Sequence, residues 1–266
     1  MGEFDEKFQA DLLPHLLDKT LETYQSTDEL WQFATKHSLG EFPMVKGYKI
    51  DELILKGEIS EAKNIIGEPS NLGQIFAAGT IAFLEKDFAK SVKFYEDGIK
   101  LWRNIFRKKK GFPANWQLFF YGLALYKADP TKFHIFAEDY NTFALKNYAE
   151  HSTHRAISTI SYFLKNNDSL AGMAYSQIGS SDFTKSFLQI LTAAIVPYFK
   201  TPTFATTFEN KVKTMGYRWV ELEIANLFCL KTASEKPETL QKNSVLNLSE
   251  TLFQNSKIGN VRSTLC

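Results

Sequence analysis

Leu84-Glu-Lys-Asp-Phe-Ala-Lys-Ser-Val-Lys-Phe-Tyr95 decides the fold, and Leu55-Lys-Gly-Glu-Ile-Ser-Glu-Ala-Lys-Asn-Ile-Ile66 repeats its plan upstream. Each stretch reads as a tight turn followed by the second helix of a helical hairpin. The turns carry an acidic residue (Gly57-Glu58, Lys86-Asp87). An apolar plug follows (Ile59, Phe88), then a small residue five positions after the turn begins (Ala62, Ser91), then an apolar run. A lone hairpin of this kind cannot bury its apolar face, so hairpins of this plan stack on one another. The expected fold class is all-α, with antiparallel hairpins stacked as an irregular array.

Composition agrees. The 266 residues include 23 Phe and 11 Tyr against only 14 Gly and 8 Pro, which favours long packed helices over strands and turns. The net charge is +1, so no global field draws the chain to nucleic acid or an anionic membrane. Cys229 and Cys266 are the only cysteines and lie far apart, giving neither a disulfide framework nor a cysteine-based zinc site. The most apolar run, Ile190 to Phe199, is too short to span a bilayer and contains Pro197. No apolar signal region stands behind a basic start, so the expected compartment is cytoplasmic, with no membrane partner.

Phe4 to Leu17 has helical spacing interrupted at Pro14. A second helix begins at Ser26 or Thr27, and Ser38 to Lys46 reads as a connector with Gly40 and Pro43. The clearest repeat-like core covers residues 48–148. Its strongest hairpin pairs Leu72–Phe83 with Phe88–Trp102, and the second helix runs on into Arg103, Arg107, Lys108, Lys109 and Lys110, cations suited to a helix C-terminus. Helices over Trp116–Tyr126 and Phe133–Tyr148 follow. Residues 150–231 form a less regular helical half, including Ala156–Leu164, Ser169–Ile178, Phe183–Phe199, Phe204–Met215 and Tyr217–Leu230. Residues 232–266 read as a polar linker and tail, and the whole of 1–266 as one helical domain.

On the positions of Gly79, Lys86-Asp87-Phe88, Ser91, Tyr95 and Gly98, the segment Asn71–Ile105 resembles a tetratricopeptide unit. Ile75 stands at that family's tryptophan position, Ala82 at its tyrosine and Ser91 at its alanine. There is no terminating proline near Arg103, so the second helix overruns the usual period. The resemblance implies a scaffold that docks protein segments. Phe83 to Arg103, the basic run, Gln117–Leu125 and Asp129-Pro130 also resemble the helical N-terminal region of bacterial Swi/Snf-type helicase-like ATPases. That likeness implies an accessory region of a nucleic-acid motor, without the motor's phosphate loop.

Catalytic chemistry has little foothold. His151-x-x-His154 is the only metal-like spacing and lacks both a third ligand and the glutamate of a zinc-protease helix, so these two read as surface polar residues. Cys229 sits in an apolar run and reads as a buried thiol, and no Gly-x-Ser-x-Gly elbow occurs. No cofactor is expected. The basic run is the best binding candidate: Arg103 and Arg107 are four apart and share a helical face, and Trp102, Phe106 and Trp116 lie nearby. Cations beside aromatics engage acidic peptide side chains, or phosphates and bases, or simply end a helix in water. The reading that best joins these features is a non-catalytic module that binds a peptide or protein segment, acidic in character, on a concave helical face. Its candidate residues are Trp102, Arg103, Arg107, Lys108, Lys109, Lys110 and Trp116. Nucleic acid is the alternative partner, through the motor-accessory reading. An all-α enzyme with a cavity is a third and minor reading.

Overall fold

The turn read at Lys86 occurs three times in the computed structural model, which describes residues 5–22, 26–179, 183–196, 223, 224 and 227. At Gly57, Lys86 and Asn166 the backbone is left-handed, with φ of 82°, 67° and 56°. Each time, two amides fold back onto the helix just ended: Gly57 and Glu58 onto Ile54 and Leu53, Lys86 and Asp87 onto Phe83 and Ala82, Asn166 and Asn167 onto Phe163 and Tyr162. This pairing satisfies the last free carbonyls of the helix. The residue after the left-handed position is the N-cap of the next helix, and in two of the three turns its side chain bonds that helix. Asp87 accepts from the Lys90 amide at 3.1 Å and Asn167 from the Leu170 amide at 3.1 Å. Four residues beyond each cap stands a small, buried residue, Ala62, Ser91 or Ala171, which lets the second helix lie close on the first.

Every element among the described residues is helical. The N-terminal group is α1 (Glu6–Glu22), α2 (Asp28–Lys36), the short 3-10 turn η1 (Leu39–Glu41) and α3 (Pro43–Lys56). Next come α4 (Ile59–Ile66), α5 (Leu72–Leu84), α6 (Phe88–Ile105), α7 (Leu118–Ala128) and α8 (Pro130–Asn147). The last are α9 (Thr153–Leu164), α10 (Asp168–Ser176) and α11 (Phe183–Ile195). From α3 onward they form two layers. The odd-numbered helices α3, α5, α7, α9 and α11 pack in that order against one another; α4, α6 and α8 pack against the odd-numbered helices on both sides of them, and α10 packs on α9. The middle of the inner layer is buried all round: α5 buries every residue from Gly79 to Leu84, and α7 every residue from Leu118 to Leu125. None of the described helices is long and apolar enough to cross a membrane.

There are two cores. The larger runs from Ile50 through α11 to Ile224, and the smaller holds Ala10, Leu13, Leu17, Ala34, Leu39 and Val45. Helix α3 belongs to both. Buried Glu52 on α3 ties α2 to it, accepting from the Thr27 hydroxyl at 2.8 Å and from the Trp31 indole, and pairing with Lys56. Thr27 therefore spends its hydroxyl on Glu52 and not on capping α2.

Four expectations need correction. Helix α1 is continuous through Pro14, which is buried; the missing amide leaves a single carbonyl without its partner and does not break the helix. The expected connector at 38–46 is shorter, because Pro43 occupies the first turn of α3, where its missing N–H costs nothing. Helix α6 stops at Ile105, so Arg103 and Arg107 do not share a helical face. His154 is fully buried and not a surface residue. Cys229 and most of the expected helices over 204–230 lie outside the described residues.

Candidate partner-binding surface

Helix α6 is held rigidly to α5 by close contact at two glycines. A methyl group on Gly79 would meet the Tyr95 ring at 2.8 Å, and one on Gly98 would meet the Phe76 ring at 2.7 Å. Ser91 Oγ donates to the Gly79 carbonyl at 2.8 Å, and the Tyr95 and Thr80 hydroxyls share a bond of 2.7 Å inside the core. These contacts fix where the C-terminal end of α6 points.

That end closes with the same geometry as the three turns. Arg107 is left-handed at φ 51°, and the Lys108 and Arg107 amides donate to the Arg103 and Asn104 carbonyls at 2.8 and 3.3 Å. No helix follows at once. The chain loops through Lys108–Lys110 and is caught again at Gly111. Arg103 Nε donates to the Gly111 carbonyl at 2.9 Å, and its guanidinium lies 5.5 Å from the centre of the Phe112 ring. Phe112 packs edge-on to Phe136, Tyr140 and Phe143 of α8, and the Tyr148 hydroxyl donates to its carbonyl at 2.9 Å. Gly111 has φ 108°, and a methyl group there would lie 2.3 Å from Phe143. The turn is thus clamped from both sides.

What the clamp presents is mixed in character. Ile105 and Phe106 are 56 % and 55 % exposed, and Arg107, Lys108, Lys109 and Lys110 are all exposed. None of these four cations makes an ion pair among the described residues. Trp102 is half-buried beneath, its ring centre 5.6 Å from that of Phe106. The charge is concentrated here: residues 88–110 hold eight Lys or Arg and two Asp or Glu, whereas residues 1–87 hold sixteen acidic residues and eight basic ones.

The structure thus brings together five of the seven expected site residues: Trp102, Arg107, Lys108, Lys109 and Lys110. The other two face inward. Arg103 anchors the turn. Trp116 packs edge-on to Phe120 and Phe187, and its indole bonds Asp51 of α3. Gln117 also donates to Asp51 at 2.8 Å. Burial pushes the Asp51 carboxyl up to about 7, against the lowering pull of the Trp116 bond. Ile105 was missed by the sequence reading, although it falls off the Tyr95–Ile99–Trp102 stripe that faces the core and so had to be exposed.

A second polar group lies between α8 and α9. The ring nitrogens of His154 and the hydroxyl of Tyr140 are buried and, among the described residues, have no hydrogen bond of good geometry, with Tyr148, His151 and Thr153 as their polar neighbours and ring centres 6.3 Å apart. Burial lowers His154 to about 4. Among the described residues, no three His, Cys, Asp or Glu side chains are grouped as metal ligands. A groove of about 250 Å³ between α4, α5 and α6 has an apolar floor of Ile66, Ala78, Ile81 and Ala82. Its rim is largely neutral, since Lys63 pairs with Glu85. No family model matches the chain, and no characterised protein or solved structure gives a match to it.

Proposed function

We propose that the chain is a non-catalytic protein-interaction module whose partner surface is the clamped turn at 105–110. The partner is an acidic protein segment carrying an apolar side chain. One observation carries this reading: two large apolar side chains, each more than half exposed, stand beside four cations unpaired among the described residues, on a turn held at both ends. A solvated helix end needs neither the apolar pair nor the clamp. Preorganisation lowers the entropy lost when a partner binds, and the aromatic supplies an anchor that charge alone does not.

The turn is favoured over a concave groove because α5 and α7, in the middle of the inner layer, bury unbroken stretches on every side at Gly79–Leu84 and Leu118–Leu125, leaving little open surface there. A protein partner is favoured over nucleic acid because the acidic 1–87 region repels a long phosphate backbone. The two groups with the most displaced proton affinities in the functional pH range, Asp51 and His154, pack inside, which supports action by contact.

The test is a fluorescence-anisotropy titration with a labelled glutamate-rich peptide containing one leucine, and with labelled single-stranded DNA as a second arm. The peptide should bind, and Phe106→Ala should weaken binding several-fold. Preferential binding of the DNA would overturn the choice of partner. Peptide affinity indifferent either to Phe106→Ala or to the triple change Lys108→Ala, Lys109→Ala, Lys110→Ala would overturn the choice of surface.

A further inference from the structure

Helix α1 carries the counterpart of the basic turn. Phe8 is 46 % exposed, and Asp5 and Asp11, three residues to either side, share its face of the helix. Both are exposed, as is Glu6. Asp28 and Glu29 at the start of α2 are exposed as well. The surface at α1 is thus an apolar ring among carboxylates, and the surface at the end of α6 is an apolar pair among cations. Within the chain they belong to different neighbourhoods: α1 packs on α2, η1 and α3, and α6 on α5 and α7.

We propose that the acidic face of α1 in one copy docks on the basic turn at 105–110 of a second copy, so that the chain self-associates head to tail. The proposal rests on the reading of 105–110 as the partner surface, and it names the partner. Charge complementarity selects this occupant: residues 5–22 hold five Asp or Glu against two Lys, a net −3, and residues 88–110 carry a net +6, in a chain of net +1. A contact between two different patches is heterologous. It does not close at two copies but grows into rings or filaments.

The test is sedimentation velocity on the full chain over a concentration series, at about 50 mM and about 500 mM salt. The average mass should rise with concentration at low salt and fall back to the monomer at high salt. Two neutralised variants make the geometry testable. One carries Lys108→Ala, Lys109→Ala and Lys110→Ala. The other carries Asp5→Asn, Glu6→Gln and Asp11→Asn. The asparagine introduced at position 5 retains a side-chain oxygen for the Phe8 amide, which donates to Asp5 at 2.9 Å. Each variant alone should be monomeric. Mixed in equal amounts they should form a dimer that grows no further, because one intact acidic face meets one intact basic turn. A wild type that stays monomeric at low salt, or variants that associate as well as wild type, would overturn the proposal. So would a mixture that fails to dimerise. The labelled acidic peptide is titrated in parallel: binding at 105–110 without self-association removes the second copy as partner and leaves the surface standing, while loss of both removes both.

Discussion

The two ends of the α5–α6 hairpin close with the same backbone geometry and do opposite things. At Lys86-Asp87 the left-handed residue is followed at once by a cap, and the next helix starts. At Arg107-Lys108 the same fold-back is followed by a loop, and two apolar side chains and four cations are left facing outward. Local backbone chemistry is therefore not what separates the structural end from the proposed functional one. The difference lies in the next stretch of chain: a helix that can bury the exposed groups, or a clamp that holds them out.

The change with the largest expected effect breaks the clamp. Gly111→Ala puts a methyl group into the Phe143 ring at a backbone angle that side chains rarely adopt, and should cost about 3 kcal/mol or more in urea unfolding. Partner binding at 105–110 should weaken with it. If Gly111→Ala is as stable as wild type, the turn is not clamped in the way described.

Next in size is a pair of opposed pH effects in the interior, which leave the outward-facing end untouched. His154 is lowered to about 4 from 6.5, so its contribution to stability is present above pH 6.5 and is lost as pH falls toward 4. Asp51 is raised to about 7 from 3.8, so its contribution is present below pH 4 and is lost as pH rises through 7. The full shifts amount to roughly 3 kcal/mol for His154 and roughly 4 kcal/mol for Asp51, and between pH 4 and 6.5, where both act with opposite sign, they nearly cancel. His154→Phe should therefore gain stability on acidification and Asp51→Asn should lose it, measured as unfolding midpoints at pH 4.5 and 6.5. Parallel slopes in the two variants would contradict the assignment.

A smaller effect probes the structural end. Asp87→Ala removes a cap and should cost about 1 kcal/mol, with Asp87→Asn close to wild type and peptide binding unchanged in both. Smallest of all should be the stability change on replacing Lys108, Lys109 and Lys110 with alanine, within about 0.5 kcal/mol, because these side chains hold nothing in place.

Much of this was legible in the sequence because it is local. Gly57 with Ala62 and Lys86 with Ser91 announced two turns and the close approach behind each. The third turn, Asn166 with Ala171, has the same spacing but went unread, since an asparagine takes the left-handed position and the acidic cue is absent. The end of α6 was misjudged because Arg107 adopts a conformation that side chains disfavour, and only the two fold-back bonds reveal it. Trp116 was assigned to the partner surface from its closeness to the cations in sequence. Its actual partner, Asp51, is 65 positions away, and only the packing of α3 against the start of α7 brings the two together. The burial of His154 is likewise a product of helix packing: the polar sequence around it gives no sign of a core position.

The most direct test of the central claim measures both ends of the comparison on one variant. The affinity of the acidic leucine-containing peptide and the urea midpoint are determined for wild type and for the triple change Lys108→Ala, Lys109→Ala, Lys110→Ala. At about 0.5 kcal/mol per lost cation, affinity should fall about tenfold while the midpoint stays where it was. Equal affinity at an unchanged midpoint would show that the clamped turn is not the partner surface.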